Sequence, residues 1–265
     1  MAQSETIEVE ITGQTGRLKL NRPDHGNGIT LQLAKELAAV TTDWEKDEAI
    51  QLVILEANGK HFSVGGDLAS FAEHGNKVGE HLKEVIGYFH EAIMNLVKMK
   101  KPVIAEVKGT AAGGGLGFVC AADIVYATES SRFLMAYTKA GLTPDGGSSF
   151  FLPKLVGKKK AAELTLLNRM LTGQEAEAVG LITKAVSEDN WEEEIQALEK
   201  AFTEGAYLAA GKAKSLLNRG DITELQKHLE AEKLTLCEQI GQPEGMEGIE
   251  AFLEKRKPSF PRFHN

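Results

Sequence analysis

Cysteine is scarce in this sequence, with only Cys120 and Cys237 among 265 residues. The two lie far apart, in apolar or helical segments, whereas small disulfide-stapled domains carry several closely spaced cysteines. This scarcity excludes a disulfide framework and predicts two reduced thiols in a cytoplasmic protein.

Long hydrophobic runs are also missing. No segment of the chain reaches the roughly 18 consecutive apolar residues that a membrane-spanning helix needs. The first residues, MAQSETIEVEITG, do not combine a basic start with an apolar stretch, as a secretory leader would. We therefore expect no leader peptide and no membrane partner.

Positive charge is in the minority, since 30 Lys and Arg face 38 Asp and Glu and leave a net charge of -8. A nucleic-acid-binding surface needs an excess of positive charge to neutralise phosphates, so no nucleic-acid partner is expected. The histidines lack metal-ligand spacing, and GTAAGGGLG lacks the G-x-G-x-x-G spacing of dinucleotide sites. We expect no metal and no nucleotide cofactor.

Short apolar runs alternate with helical patterns over the first part of the chain. Two segments around Gly13, residues 6–11 and 17–20, predict a hairpin. The runs IQLVILEA, KPVIAEV and DIVYAT are almost continuously apolar, which is typical of strands buried on both faces. Amphipathic helices are predicted between them at 30–46 and 79–99. This alternation predicts an α/β core with parallel strands.

Helical patterns dominate after about residue 157, and only LITKAV interrupts them. We interpret residues 1–195 as the core domain and residues 196–265 as a helical region. The apolar stripes of this region would cover the core or pack on another subunit.

Two glycine-bearing loops, HFSVGG at 61–66 and AAGGG at 111–115, each follow a predicted buried strand. Backbone N–H groups from two such loops could together stabilise an oxyanion. Glycines in these places could equally serve tight turns or helix packing. Spacing alone leaves both interpretations open.

A third segment, GLTPDGGSSFFLP at 141–153, places Asp145 between a proline and two glycines, just before an apolar helical run. Asp145 could be an acid/base in a site. It could also be a helix N-cap, because Asp is favoured at that position.

These segments, with RPDHGNG, EAEAVGLITKAV and GIEAFLEKRKPSF, resemble the crotonase, or enoyl-CoA hydratase/isomerase, superfamily over nearly the whole chain. The resemblance implies the crotonase (ClpP-like) fold, with a core of repeated ββα units and a C-terminal helical region for trimerisation. It implies an acyl-CoA thioester substrate, with coenzyme A part of the substrate and no separate cofactor. A homotrimer or a dimer of trimers is the implied assembly.

The resemblance also implies a set of site residues. The N–H groups of Gly66 and Gly114 would bind the thioester oxygen at the start of a helix. His25 stands where the family usually has a lysine. Substrate and CoA contacts would come from Arg22, His25, Val64, Gly65, Asp67, Leu68, Gly113, Tyr137, Pro144 and Lys255.

The two glutamates that the family's hydratases use are replaced here by Gly117 and Tyr137. Activating a water and delivering a proton to carbon needs acid/base groups, so their loss argues against hydration. Asp145 stands where enoyl-CoA isomerases carry their acid/base. One carboxylate suffices for moving a double bond from Δ3 to Δ2, and we expect an enoyl-CoA isomerase with Asp145 as acid/base.

Three functions besides isomerisation stay open. His90 stands twelve residues before Pro102, the place of a water-activating histidine in 4-chlorobenzoyl-CoA dehalogenases, where an Asp at the position of Asp145 attacks the ring. His90, next to Phe89, could equally be a packed helix residue. An enoyl-CoA hydratase and a homologue that binds CoA esters without turning them over are the second and third possibilities.

Overall fold

The computed structural model describes residues 5–260, except the side chain of Asn76. The strands are β1 Ile7–Thr12, β2 Thr15–Leu20, β3 Leu52–Ala57, β4 His61–Ser63, β5 Val103–Val107, β6 Thr110–Ala112, β7 Ile124–Thr128, β8 Arg132–Leu134, β9 Leu171–Thr172 and β10 Lys184–Val186. The α-helices are α1 Leu31–Lys46, α2 Leu68–Ala72, α3 Val78–Lys98, α4 Gly114–Ala121, α5 Ser148–Val156, α6 Lys158–Leu166, α7 Gly173–Ala178, α8 Trp191–Thr203, α9 Tyr207–Leu217, α10 Ile222–Gln239 and α11 Pro243–Leu253.

The strands form two sheets. A larger sheet has the order β1-β2-β3-β5-β7-β10, and a smaller one has the order β4-β6-β8-β9. Along the chain each of β3, β5 and β7 is followed by a short strand that joins the smaller sheet, and then by a helix. This is the repeated ββα unit that the resemblance implied, and the pairing of β3, β5 and β7 is parallel, as the sequence predicts.

The predicted hairpin and buried strands are confirmed. Strands β1 and β2 pair in antiparallel fashion across a turn where Gly13 has a φ of 60°. In β3, Val53 and Leu55 belong to the main core, whereas Leu52 and Ile54 pack in a second cluster with Ile104 and residues of α8. An apolar run without alternation is therefore buried on both faces, as parallel strands under helices are.

The glycine loops are shorter than the sequence predicts. Residues 61–63 and 110–112 are the strands β4 and β6, which pair with each other in parallel. The sequence predicts loop throughout residues 61–66 and 111–115, and this prediction is wrong for the residues that lie in β4 and β6. A three-residue strand is too short to show a period-2 pattern next to glycines.

Helix α1 begins at the N-cap Thr30, whose hydroxyl accepts a hydrogen bond from the Leu33 N–H. Its apolar face packs against α3, and α3 also packs against α10 from the C-terminal helical region. Helix α11 contacts α2. These contacts bring α10 and α11 over the part of the core where the two glycine loops end.

Both cysteines are free thiols, and Cys120 is buried in the core. This agrees with the prediction of two reduced thiols. Across residues 5–260, no helix has the length and apolar character needed to cross a membrane.

Candidate active site

An apolar cavity of about 100 Å³ lies where the two glycine loops meet α3 and α10; we call it the acyl cavity. Its apolar walls come mainly from α3, through Leu82, Val85, Ile86 and Phe89, and from Leu236 near the end of α10. The polar groups on its wall are few and come from Asp145, Tyr137 and the glycine backbone. A largely apolar cavity with a few convergent polar groups is the usual form of a small-molecule site.

The two glycine loops lie side by side on this wall because β4 and β6 are parallel neighbours. The contact is close, since a Cβ atom on Gly65 would lie 3.0 Å from the nitrogen of Gly114. Gly66 and Gly114 both line the acyl cavity. Within residues 5–260, neither of their N–H groups has a hydrogen-bond acceptor.

Backbone pairing explains why the N–H of Gly66 is left over. The Ile29 N–H donates to the Gly65 carbonyl at 2.8 Å, and the Asp67 N–H donates to the Ile29 carbonyl at 3.1 Å. This parallel bridge uses the groups on both sides of Gly66 and leaves its own N–H unused. The N–H of Gly114 is unused because Gly114 is the first residue of α4, where N–H groups have no partner within the helix.

Steric crowding disfavours a larger side chain at several of these positions. A Cβ atom at Gly66 would lie 2.7 Å from Cε2 of Phe71, and one at Gly114 would lie 2.8 Å from Cδ1 of Ile29. At Gly115 it would lie 2.4 Å from the Ser63 carbonyl oxygen. Close approach of the two loops therefore requires glycine at position 115, where the obstacle is backbone, whereas at positions 66 and 114 the obstacle is a side chain.

Asp145 is 5% exposed, and its Oδ1 lies 2.7 Å from Nε2 of His90 on α3. Its Oδ2 has no hydrogen-bond partner among the described residues and is not sealed in the protein interior. Asp145 lines the acyl cavity. The carboxylate thus has one oxygen fixed by His90 and the other left for a ligand.

The N-cap interpretation of Asp145 is wrong, because Gly147 occupies the N-cap of α5 and the Asp145 carboxylate does not cap the helix. The Asp145 carbonyl instead accepts hydrogen bonds from the Tyr137 hydroxyl at 3.1 Å and the Ser148 hydroxyl at 2.8 Å. Gly146 and Gly147, with φ of 65° and 76°, provide the left-handed backbone of this turn.

Glu232 on α10 is a buried member of the site that sequence reasoning missed. It accepts hydrogen bonds from the N–H groups of Gly147 at 2.7 Å and Ser149 at 3.0 Å, at the start of α5. Burial and the neighbouring Asp145 carboxylate raise the pKa of Glu232. A signal existed in the sequence, because Glu232 falls on the buried stripe of α10 between Leu229 and Leu236.

His90, Asp145 and Glu232 each offer one side-chain atom that lies within 4.8 Å of the others, a spacing that a metal ion could bridge. Nε2 of His90 is engaged with Oδ1 of Asp145, and the two Glu232 oxygens accept hydrogen bonds from N–H groups at the start of α5. The arrangement is a hydrogen-bonded network around the turn at Asp145. The three residues come from three separate elements, so spacing in the sequence could not reveal them.

Gly117 and Tyr137, which replace the two hydratase glutamates, both contact the turn that contains Asp145 and Gly146. A Cβ atom at Gly117 would lie 2.7 Å from the Gly146 carbonyl oxygen, so no side chain fits there. Burial raises the pKa of the Tyr137 hydroxyl well above its ordinary value, and Asp145 adds to this effect. At Gly117 a carboxylate is therefore excluded by steric crowding, and at Tyr137 a neutral phenol takes its place.

The predicted substrate and CoA contacts lie in different surroundings. Four of these candidates line the acyl cavity, namely Val64, Leu68, Gly113 and Tyr137. Arg22 forms an ion pair with Asp67 at 2.9 Å, so each partly neutralises the other. Gly65 forms the contact to Gly114 described above. The remaining candidates, His25, Pro144 and Lys255, are not among the residues that line the cavity.

Comparison with known proteins adds to this geometry. The sequence pattern of the family described as "Enoyl-CoA hydratase/isomerase" matches residues 10–262. The chain is 28% identical to a 4-chlorobenzoyl coenzyme A dehalogenase-2 from Arthrobacter sp, over 96% of this chain and 92% of that protein. It is 30% identical to the 1,2-epoxyphenylacetyl-CoA isomerase of Escherichia coli K12, over 92% of this chain and 93% of that protein.

Among solved structures, the fold is similar to an enoyl-CoA hydratase from Mycobacterium avium subsp. paratuberculosis K-10. The TM-score is 0.89 at 28% identity, and the match covers 98% of this chain and 100% of that chain. The similar proteins therefore carry the names of three different activities.

Proposed function

The chain belongs to the enoyl-CoA hydratase/isomerase family, has the crotonase fold and processes acyl-CoA thioesters, and we propose that it is an enoyl-CoA isomerase with Asp145 as acid/base. The observation that carries this proposal is that Asp145, whose Oδ2 has no partner among the described residues, lines the same cavity as Gly66 and Gly114, whose N–H groups are unused. No cofactor besides the CoA of the substrate is needed for a proton shift.

The proposed reaction starts with the thioester carbonyl oxygen bound between the N–H groups of Gly66 and Gly114. These donors stabilise the negative charge that develops on the oxygen when a proton leaves the α carbon, and one such donor typically lowers a barrier by about 3–4 kcal/mol. The N-terminal end of α4 adds a partial positive charge next to Gly114.

Asp145 takes the proton from C2 and returns it to C4, which moves the double bond from Δ3 to Δ2. The electrons of the C2–H bond form the enolate, and re-protonation at C4 restores the thioester carbonyl. One carboxylate serves both steps, since it is the base in the first and the acid in the second. The hydrogen bond from His90 fixes the orientation of Asp145 for both transfers.

Hydration is disfavoured because Gly117 and Tyr137 supply no carboxylate to activate water. A hydrolytic aryl-CoA dehalogenase remains a second candidate, and the 2.7 Å contact between His90 and Asp145 favours it. In that reaction the Asp145 carboxylate replaces chloride on the ring, and water activated by His90 hydrolyses the resulting ester. By the family resemblance, Phe89 and Tyr137 stand where the dehalogenases have tryptophans, and this difference counts against the dehalogenase.

The deciding experiment offers both substrates to the same preparation. Formation of the conjugated 2-enoyl thioester from a 3-enoyl-CoA is followed by ultraviolet absorbance, and chloride release is measured from 4-chlorobenzoyl-CoA. We expect isomerisation without chloride release, and loss of isomerisation in Asp145→Asn. An exposed control, Asp189→Asn, should keep the wild-type rate.

For the nucleotide end of CoA, we propose a path along Val64 and Gly65, with Arg22, His25 and Lys255 near the phosphates. Val64 is 39% exposed at the edge of the acyl cavity, which suits an entrance. Arg22 has part of its charge offset by Asp67. Because the proposed contact of Arg22 is with the phosphates and not with the reacting atoms, Arg22→Gln should raise the KM for acyl-CoA while leaving kcat nearly unchanged.

We also propose assembly into a homotrimer. Large apolar side chains stand exposed on α9, with Leu208, Leu216 and Leu217 at 65%, 68% and 83% exposure. Exposed apolar side chains that are close together are typical of subunit contacts. Light scattering coupled to size-exclusion chromatography should give three times the mass of the chain or a multiple of that value.

A further inference from the structure

A groove of about 790 Å³ lies between α2 and α11, and we call it the α2–α11 groove. Its apolar lining includes Ala72 and Val78 on one side and Met246, Ile249 and Leu253 of α11 on the other. Ile240, which directly follows α10, lines both this groove and the acyl cavity. Within residues 5–260, it is the one residue that the two linings share. The wall between the two spaces is therefore one residue thick at Ile240.

The backbone of Ile240 is held firmly in this wall. Its N–H donates to the Leu236 carbonyl at 2.9 Å, and the residue is 0% exposed. A Cβ atom on Gly245 of α11 would lie 2.8 Å from Cα of Ile240, so the two backbones are in close contact. Gly248 packs in the same way, because a Cβ atom there would overlap the carbonyl oxygen of Ala140, which also lines the acyl cavity. With the backbone fixed by α11, the Ile240 side chain is the part that closes the wall.

The size of the acyl cavity limits what it can hold. Its volume is about 100 Å³, whereas an apolar cavity of roughly 150 Å³ is known to hold one benzene molecule. The cavity therefore has room for an acyl group of about four to six carbons. The thioester end of that group is held at Gly66 and Gly114 in the proposed reaction, so a longer chain has to leave the cavity through another part of its wall.

We propose that Ile240 sets the upper limit of acyl length, so that the wild-type protein acts on short acyl groups and a smaller side chain at this position joins the acyl cavity to the α2–α11 groove. This inference rests on the proposed function, because the acyl group belongs to the thioester substrate. The groove suits the end of an aliphatic chain, since its lining is mainly apolar and Met246 and Leu253 are 58% and 46% exposed. Each CH₂ group that enters it is removed from water, which favours binding.

Binding of saturated acyl-CoA thioesters tests this limit without turnover. Calorimetry gives the Kd of butanoyl-CoA and of dodecanoyl-CoA, the latter below the concentration at which it forms micelles. Wild type should bind dodecanoyl-CoA about tenfold or more weakly than butanoyl-CoA. Ile240→Ala should bind dodecanoyl-CoA about tenfold or more tightly than wild type does, with the Kd of butanoyl-CoA changed by no more than about threefold.

Two other isoleucines provide matched controls. Ile86→Ala enlarges the acyl cavity from α3 without reaching the groove, and Ile249→Ala enlarges the groove without reaching the cavity. Neither should change the ratio of the two Kd values by more than about threefold. Ile240→Val removes a single methyl group and costs less stability than the alanine variant. It should change the ratio in the same direction as Ile240→Ala by a smaller factor, and it decides the question if Ile240→Ala does not fold.

Turnover provides a second readout. The ratio of kcat/KM for 3-dodecenoyl-CoA to that for 3-hexenoyl-CoA should rise about tenfold in Ile240→Ala. The limit at Ile240 is overturned by equally tight binding of both saturated thioesters to wild type, by an unchanged Kd ratio in both Ile240 variants, or by an equal change in Ile86→Ala. If wild type isomerises neither 3-enoyl-CoA, the proposed function fails while the Kd values still decide the role of Ile240.

Discussion

Nε2 of His90 lies 2.7 Å from Oδ1 of Asp145, and this contact joins the long helix α3 to the turn that precedes α5. Both side chains are buried, so the contact holds one carboxylate oxygen in place and leaves the other at the acyl cavity. The chemistry of the pair depends on whether His90 orients the Asp145 carboxylate or activates a water molecule.

Replacing His90 separates the two candidate reactions. In isomerisation His90 orients Asp145, so His90→Gln, which keeps a hydrogen-bond donor, should slow the reaction by about 10- to 100-fold. In hydrolysis, loss of the water-activating base would leave an aryl ester on Asp145. Intact-protein mass spectrometry after incubation with 4-chlorobenzoyl-CoA should show no adduct. An adduct on His90→Gln that wild type lacks would contradict the isomerase, and exposed His74→Gln is the control.

Gly114 offers a test of its N–H group alone. Ile29→Val removes the Cδ1 atom that a Cβ at position 114 would meet at 2.8 Å. In that background, Gly114→Ala keeps the N–H group, whereas Gly114→Pro removes it at a first helical position that accepts proline. We expect kcat/KM to be about 10²- to 10³-fold lower for the proline variant than for the alanine variant. Equal rates for the two would exclude a role for this donor.

Glu232 should stabilise the turn that carries Asp145. Glu232→Gln leaves only one acceptor for the N–H groups of Gly147 and Ser149, and an unsatisfied buried donor costs roughly 1–3 kcal/mol. We expect a loss of that size in the free energy of unfolding, measured with urea, together with a lower kcat. The exposed Glu238→Gln on the same helix should change stability by less than about 0.5 kcal/mol. Unchanged stability of Glu232→Gln would show that the turn does not depend on it.

Glu106 on β5 predicts a pH dependence of stability. Burial and the nearby Glu56 raise its pKa to about 7, against the opposing effect of Arg17. Because the folded protein keeps this proton up to about pH 7 and the unfolded chain loses it near 4.5, rising pH favours unfolding in that range. The cost reaches about 3 kcal/mol above pH 7.

The corresponding measurement compares wild type with Glu106→Gln in urea at pH 5 and pH 8. Wild type should lose more stability between the two pH values than the variant, by up to about 3 kcal/mol. Exposed Glu10→Gln is the control. A difference that is the same in all three proteins would assign the pH dependence to other groups.

Much of the fold could be predicted because its signals are local. The unbroken apolar run of β3 and the helical spacing of α1 and α3 can be recognised because each element has buried residues along most of its length. The short strands β4 and β6 have no such signal, because three residues next to glycine show no period. Their parallel pairing is decided by the longer strands on either side.

The residues of the site also fall into those with a local sequence signal and those without one. Asp145 and the glycine loops carry recognisable residue types in recognisable order, so they could be found in the sequence. The contact between His90 and Asp145 depends on how α3 lies against the turn before α5, which no spacing reports. Glu232 was missed for the same reason, although a carboxylate on the buried stripe of α10 is a signal that such a residue has partners in the interior.

The central claim is that Asp145 moves the proton of an acyl-CoA thioester held by two backbone N–H groups. It is tested most directly by the rate of conversion of a 3-enoyl-CoA to its conjugated isomer in wild type and Asp145→Asn. Binding of the same thioester is measured in parallel by calorimetry. The account predicts conversion by wild type, and a rate at least about 10³-fold lower in Asp145→Asn with binding changed only a few-fold. Conversion by Asp145→Asn at the wild-type rate would contradict it.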